Sequence, residues 1–193
     1  MTTPWKAQRA WSGETVAVLA SGPSLTREVA DELACFKRIA VNYSFVLAPE
    51  ADMLVALDLN TQMWADAQGF IGLRVCGVDD PALDALYAGP CYERISIAPG
   101  HVIETRNSGL AAIRIAAEMG AARIVLAGFD PGVAAHFMGR PHVEEEPDPA
   151  RYPGLAEGLD AIVSELRKSG IDVIFHTKKT IPSLIEGGRN VGC

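Results

Sequence analysis

Apolar residues along this chain fall into short unbroken runs separated by stretches of helical periodicity. Residues 15–20 (TVAVLA), 38–42 (RIAVN), 53–57 (MLVAL), 122–127 (ARIVLA) and 171–175 (IDVIF) each read as a strand buried on both faces. Weaker strand patterns occupy 73–77 and 94–98. Between them, 25–34, 60–68, 81–87, 109–119 and 155–168 carry helical patterns. The last is the clearest. Leu155, Leu159, Ile162, Val163 and Leu166 share one face, and Glu157, Asp160, Glu165 and Lys168 lie off it. Gly120 and the pair Ser169-Gly170 supply helix stops.

Strand runs without polar alternation belong to a sheet covered by helices on both faces. The alternating order of strand and helix predicts an α/β fold: a Rossmann-like, mostly parallel sheet, with right-handed crossovers, in a single domain over 1–193. In such sheets ligands bind outside the carboxyl ends of the strands, so the residues following each run carry the functional reading.

Composition narrows the class. The 193 residues are 49% hydrophobic and 21% charged, the range of ordinary globular proteins. A formal net charge of −7 argues against general nucleic-acid binding, which needs clustered cations. No run approaches the roughly 18 apolar residues of a membrane span, and the opening segment lacks the apolar core of a secretory signal. The four cysteines, Cys35, Cys76, Cys91 and Cys193, form no C-x-x-C pair and no zinc spacing with histidine. Cys35 and Cys76 read as small core residues, and a reducing, cytoplasmic setting is expected. The pattern is compatible with a monomer or an oligomer.

After the first strand come Ser21, Gly22, Pro23 and Ser24. Gly22 permits close backbone approach. Ser24 can cap the next helix or offer its hydroxyl to a ligand. Asn42 follows the second strand and Asp58 the third, each either a local cap or a polar group at the mouth of a crevice. Asn107, Ser108 and Gly109 open the Ala-rich helix, where a cap and an anion site are both in character. Asp130 ends the strongest strand.

Residues 130–153 hold five prolines, no strong periodicity, and two of the four histidines, His136 and His142. A loop of this length in a compact domain is commonly functional. The acidic run Glu144 to Glu146 reads as a solvated face.

The succession VAVLASGPSLT, AVN, NSG opening a helix, GAARIVLAGFD and HFMG resembles the bacterial sialyltransferase fold of glycosyltransferase family 42. It also resembles that fold's pterin pyrophosphokinase-like and uncharacterised prophage relatives. The likeness spans about residues 15–185. It implies a nucleotide or nucleotide-sugar ligand, with the cytidine monophosphate part of the donor held by Ser21, Gly22, Pro23, Ser24 and Asn42. It further implies that Asp58 lines the same site, that Ser108 touches the donor sugar, and that a loop histidine, His136 or His142, is the general base. His101 and His176 are secondary candidates for that role. The family's pattern places tyrosines after its G-[IF]-D strand end; here Pro131 and Gly132 follow Asp130.

Three functional readings follow. The first is a glycosyltransferase with a CMP-type donor, acting by direct displacement and needing no cofactor or metal. The second is a pyrophosphokinase on a pterin-like substrate, with Asp58 and Asp130 on a divalent ion. The third is a nucleotide-binding module without catalysis.

Overall fold

Seven strands form one sheet in the computed structural model, which describes residues 9–56, 61, 64–66, 68–76, 93–94, 107–130 and 153–176. The strands are β1 (Thr15–Leu19), β2 (Lys37–Val41), β3 (Met53–Val55), β4 (Leu73–Cys76), β5 (Glu93–Arg94), β6 (Arg123–Ala127) and β7 (Asp172–Phe175). The helices are α1 (Arg27–Glu32), α2 (Ser108–Glu118) and α3 (Pro153–Lys168), with a 3-10 helix at Asn42–Val46. Thr61 and residues 64–66 are also helical.

The strand order is β5-β4-β3-β2-β1-β6-β7 and every pairing is parallel. The α/β, Rossmann-like expectation is therefore met. In register, Leu19 stands between Ala40 of β2 and Ala127 of β6, so three strands end level at one point of the carboxyl edge.

Two apolar layers sandwich the sheet, which explains the unbroken runs. Val16 and Val18 of β1 join Ile39, Val41, Met53, Val55 and the helices α2 and α3 on one face. Ala17 and Leu19 join Ala40, Leu54, Val125 and the residues of α1 on the other. Each fully buried Val, Leu or Ile contributes about 1.5–3 kcal/mol, so β1, with four of five residues buried, anchors the domain. Small residues dominate the α1 face: Ala17, Ala40, Ala127 and, on the helix, Ala30 are all buried. They let a short helix and its leading loop lie close on the sheet.

The order of the strands fixes where a crevice can open. From β1 the chain crosses to β2 by way of α1 on one face. From β6, on the other side of β1, it crosses to β7 by way of α3 on the opposite face. The direction of winding reverses between β1 and β6, so the loops leaving these neighbours diverge there.

The helix ends obey local chemistry. After α2, Gly120 takes φ +96°, its N–H donates to the Ala117 carbonyl, and the Ala121 N–H donates to the Ala116 carbonyl. After α3, Gly170 at φ +86° does the same with Arg167, and Ile171 with Leu166. Both are the paired closing bonds that a left-handed glycine permits. Between these helices, Arg114 grips Glu165 with two bonds of 2.6 and 2.7 Å. The hydrogen bond to Glu165 raises the Arg114 pKa against a smaller opposing effect of burial.

Several expectations need correction. The predicted helix over 25–34 contracts to Arg27–Glu32. The Leu25 N–H closes a turn on the Gly22 carbonyl, and the first helical bond runs from the Ala30 N–H to the Thr26 carbonyl. Thr26, not Ser24, is the N-cap, its hydroxyl accepting from the Val29 N–H. The 3-10 helix after β2 was not expected. Cys35 is exposed rather than a core residue, because α1 has ended before it. The predicted helix over 81–87 and most of the strand over 94–98 lie outside the described residues. Among the described residues, no helix is long and apolar enough to cross a membrane.

Candidate functional site

The loop after β1 is stitched to both neighbouring strands. On the β2 side, the Ser21 hydroxyl donates to the Val41 carbonyl at 3.1 Å. On the β6 side, the Gly22 N–H donates to the Gly128 carbonyl at 2.9 Å, and the Ser24 N–H donates to Oδ2 of Asp130 at 2.9 Å. Only glycine fits at position 22. A Cβ there would stand 2.3 Å from Asp130 Oδ2 and 2.4 Å from the Gly128 oxygen. Gly128 is constrained in return. It adopts φ +72°, and a Cβ would meet the Ala20 carbonyl oxygen at 2.4 Å. Two backbones thus approach more closely than side chains allow, at the point where the winding reverses.

Asn42 closes β2 and opens the 3-10 helix. It is the one described non-glycine residue with positive φ, at 50°. Left-handed backbone costs an L-residue roughly 1–2 kcal/mol, and asparagine bears it best among side chains. The turn is held by Ser44, whose buried hydroxyl accepts from the Val41 N–H at 2.7 Å and donates to the Leu19 carbonyl at 2.6 Å. Arg27 reaches across from α1 and closes the far end, donating to the carbonyls of Leu47 and Val46 at 2.6 and 2.7 Å. The Asn42 Oδ1 atom is buried, with no hydrogen-bond partner among the described residues. A buried acceptor left unpaired costs about 1–3 kcal/mol, so this position is held at a loss unless something donates to it.

At α2, Asn107 is the N-cap. Its Oδ1 accepts from the N–H groups of Gly109 and Leu110 at 2.8 and 3.1 Å. Two donors that could have served an anion are therefore occupied by the chain's own cap. Ser108 is buried at the first helical position. Gly109 lies against Phe129: a Cβ there would be 3.0 Å from the ring. The segment Gly128-Phe129-Asp130 thereby touches both the first loop and the start of α2.

Ser21, Gly22, Pro23, Ser24, Asn42, Asn107, Ser108, Gly109 and Asp130 thus all belong to the carboxyl edge of the sheet, around β1, β2, β6 and α2. The direct links run from Ser21 to the end of β2, from Gly22 and Ser24 to Asp130, and from Gly109 to Phe129. Asp58, His101, His136 and His142 lie outside the described residues. His176 follows β7. Its side chain is only 7% exposed, and Nε2 stands 3.5 Å from a Glu32 carboxylate oxygen without forming a hydrogen bond. It therefore faces the last turn of α1 rather than the loop that precedes that helix. Among the described residues, no group of three or more His, Cys, Asp or Glu could hold a metal ion.

Sequence reasoning overlooked Ser44 and Gly128 as parts of this edge. Each had a local signal: a serine two residues beyond an asparagine at a strand end, and a glycine directly after the strongest strand. It also overlooked the aromatic residues beside Asn42. Tyr43 and Trp64 have ring centroids 5.3 Å apart, and Trp64 meets Phe45 edge-on at 5.1 Å. Their spacing in sequence gives no hint of that contact. No protein-family model matches this sequence, and no curated protein matches it.

Proposed function

We propose that this chain is a sialyltransferase-like, nucleotide-binding protein that transfers a glycosyl group from a CMP-type donor seated at the carboxyl edge of β1 and β2. The observation that carries the reading is Asn42. A strained backbone and a buried, unpaired acceptor occur together at the end of a central strand, beside a loop whose glycines admit close approach. Strain and an unsatisfied polar atom at a strand's carboxyl end are characteristic of a residue kept for a ligand rather than for stability. The order of motifs along the chain supplies the ligand class by resemblance.

In this scheme the nucleotide lies against Ser21 to Ser24 and Asn42, with Ser108 toward the donor sugar. His136 or His142 removes the proton of the acceptor hydroxyl. The acceptor oxygen then forms its bond to the anomeric carbon as the bond to the phosphate oxygen breaks, releasing CMP. Histidine suits the base because its ordinary pKa, about 6.5, lies near neutrality. No metal takes part. Asp130, already accepting a backbone N–H, acts in holding the loop.

A thermal-shift screen of nucleotides and nucleotide sugars tests the reading, since a ligand of the folded state raises its melting temperature. Cytidine nucleotides are expected to shift the transition more than adenine nucleotides, with or without magnesium. Stabilisation by a nucleoside triphosphate only when magnesium is present contradicts the proposal and favours the pyrophosphokinase reading. Once a donor is found, His136→Ala and His142→Ala are expected to retain binding, with turnover lost in one of them. Full turnover in both and in the double variant excludes a histidine base.

A further inference from the structure

Four aromatic rings form a chain of contacts from the buried Phe70 and Phe45 to Trp64 and Tyr43, the residue after Asn42. Phe70 and Phe45 are buried, with centroids 6.0 Å apart and ring planes inclined by 68°. Phe45 meets Trp64 at 5.1 Å, and Trp64 meets Tyr43 at 5.3 Å with the planes inclined by 60°. The inner two are closed off from water. Tyr43 and Trp64 are each only partly buried. The two outer rings come from different elements, the turn after β2 and the helical residues after β3.

We propose that Tyr43 and Trp64, together with the unpaired acceptor of Asn42, the residue before Tyr43, form a subsite for a planar heterocycle carrying an N–H donor, the chemistry of a nucleobase edge. This rests on the nucleotide reading above and adds which face of the edge receives the base. Two observations on consecutive residues meet here. Asn42 holds a buried oxygen with no donor, which an amino or ring N–H group satisfies. Tyr43 begins an aromatic surface on which a flat ring stacks. Water can satisfy an exposed acceptor and an aliphatic group can cover an aromatic one. A planar ring edged with donors does both at once. The β6 side of the first loop is the poorer place for the base, because Asp130 and Gly128 already fill the space against Gly22.

Titration calorimetry on the full chain tests this, with CMP and ribose 5-phosphate as the two probes. For Tyr43→Leu, CMP affinity is expected to fall on the order of tenfold, while ribose 5-phosphate affinity stays at the wild-type value. Tyr43→Phe, which keeps the ring, is expected to bind CMP as the wild type does. Tryptophan emission gives a readout that needs no change at Tyr43: CMP, but not ribose 5-phosphate, quenches it, and the quenching is lost in Trp64→Phe. Undiminished CMP affinity in Tyr43→Leu, an equal loss for both probes, or quenching that persists in Trp64→Phe overturns the subsite. Should ribose 5-phosphate bind while any of these holds, the subsite fails and the nucleotide reading stands. Should neither probe bind the wild type, both fail together.

Discussion

At the scale of single residues, the carboxyl edge is built from positions where one atom decides the outcome. Gly22→Ala places a methyl group 2.3 Å from a carboxylate oxygen and 2.4 Å from a backbone carbonyl. The carboxylate can swing away, but the carbonyl belongs to the β6 end and cannot. Urea unfolding of this variant is expected to show a loss of about 1–3 kcal/mol, and adding Asp130→Ala is expected to restore only part of it. Full recovery in the double variant would mean that the Gly128 carbonyl exerts no constraint. Asn42 separates backbone from side chain. Asn42→Gly keeps the left-handed turn and removes the unpaired oxygen, whereas Asn42→Ala must bear φ 50° with a Cβ. The alanine variant is expected to be less stable than the glycine variant by about 1 kcal/mol, and equal stability would mean the turn relaxes. Ser44→Ala strands the Val41 N–H and the Leu19 carbonyl, both buried, and is expected to cost about 1–3 kcal/mol.

At the scale of elements, sequence pattern and structure agree where burial sets the pattern and part where local bonding does. β1, β2 and β6 were legible because both faces are covered, so their inner positions are apolar; β7 was legible from the run Val173, Ile174 and Phe175, although only Val173 of it is fully buried. The ends of α2 and α3 were legible because Gly120 and Gly170 are the residues a left-handed stop requires. The start of α1 was not. Ser24 looks as good a cap as Thr26, and what separates them is a bond from the Ser24 N–H to Asp130, 106 residues away. The 3-10 turn after β2 was hidden for the same reason, since Ser44 ties it to Leu19 of another strand. Of the candidate site, the strand-end positions could be read, but the Tyr43–Trp64 contact could not, because it depends on which strands are neighbours. The Arg114–Glu165 pair belongs to this scale. It joins α2 to α3, is partly exposed, and is expected to show a coupling of no more than about 1 kcal/mol in a double-mutant cycle, shrinking as salt is added. The pKa of Arg114 is raised on folding, so its share of that coupling is present at all pH values below the guanidinium's ordinary one and is lost only above it. A coupling insensitive to salt would place the pair in a drier setting than its exposure implies.

At the scale of the whole molecule, a doubly wound parallel sheet brings three strand ends level and sends their loops to opposite faces. That arrangement makes one edge of the domain the natural place for a ligand, and the strain and unpaired oxygen at Asn42 mark a particular stretch of it. The central claim is that a nucleotide binds along the ends of β1 and β2, on the side of the first loop away from Asp130. Amide chemical-shift mapping of the isotope-labelled chain during titration with CMP tests this most directly, because it reports on each backbone position separately. Saturable shifts are expected at Ser21, Gly22, Asn42, Tyr43 and Ser44, with the β7 amides Asp172 to Phe175 unmoved. Saturable shifts centred on β7 and the far turn of α1, or none at any CMP concentration, would contradict it.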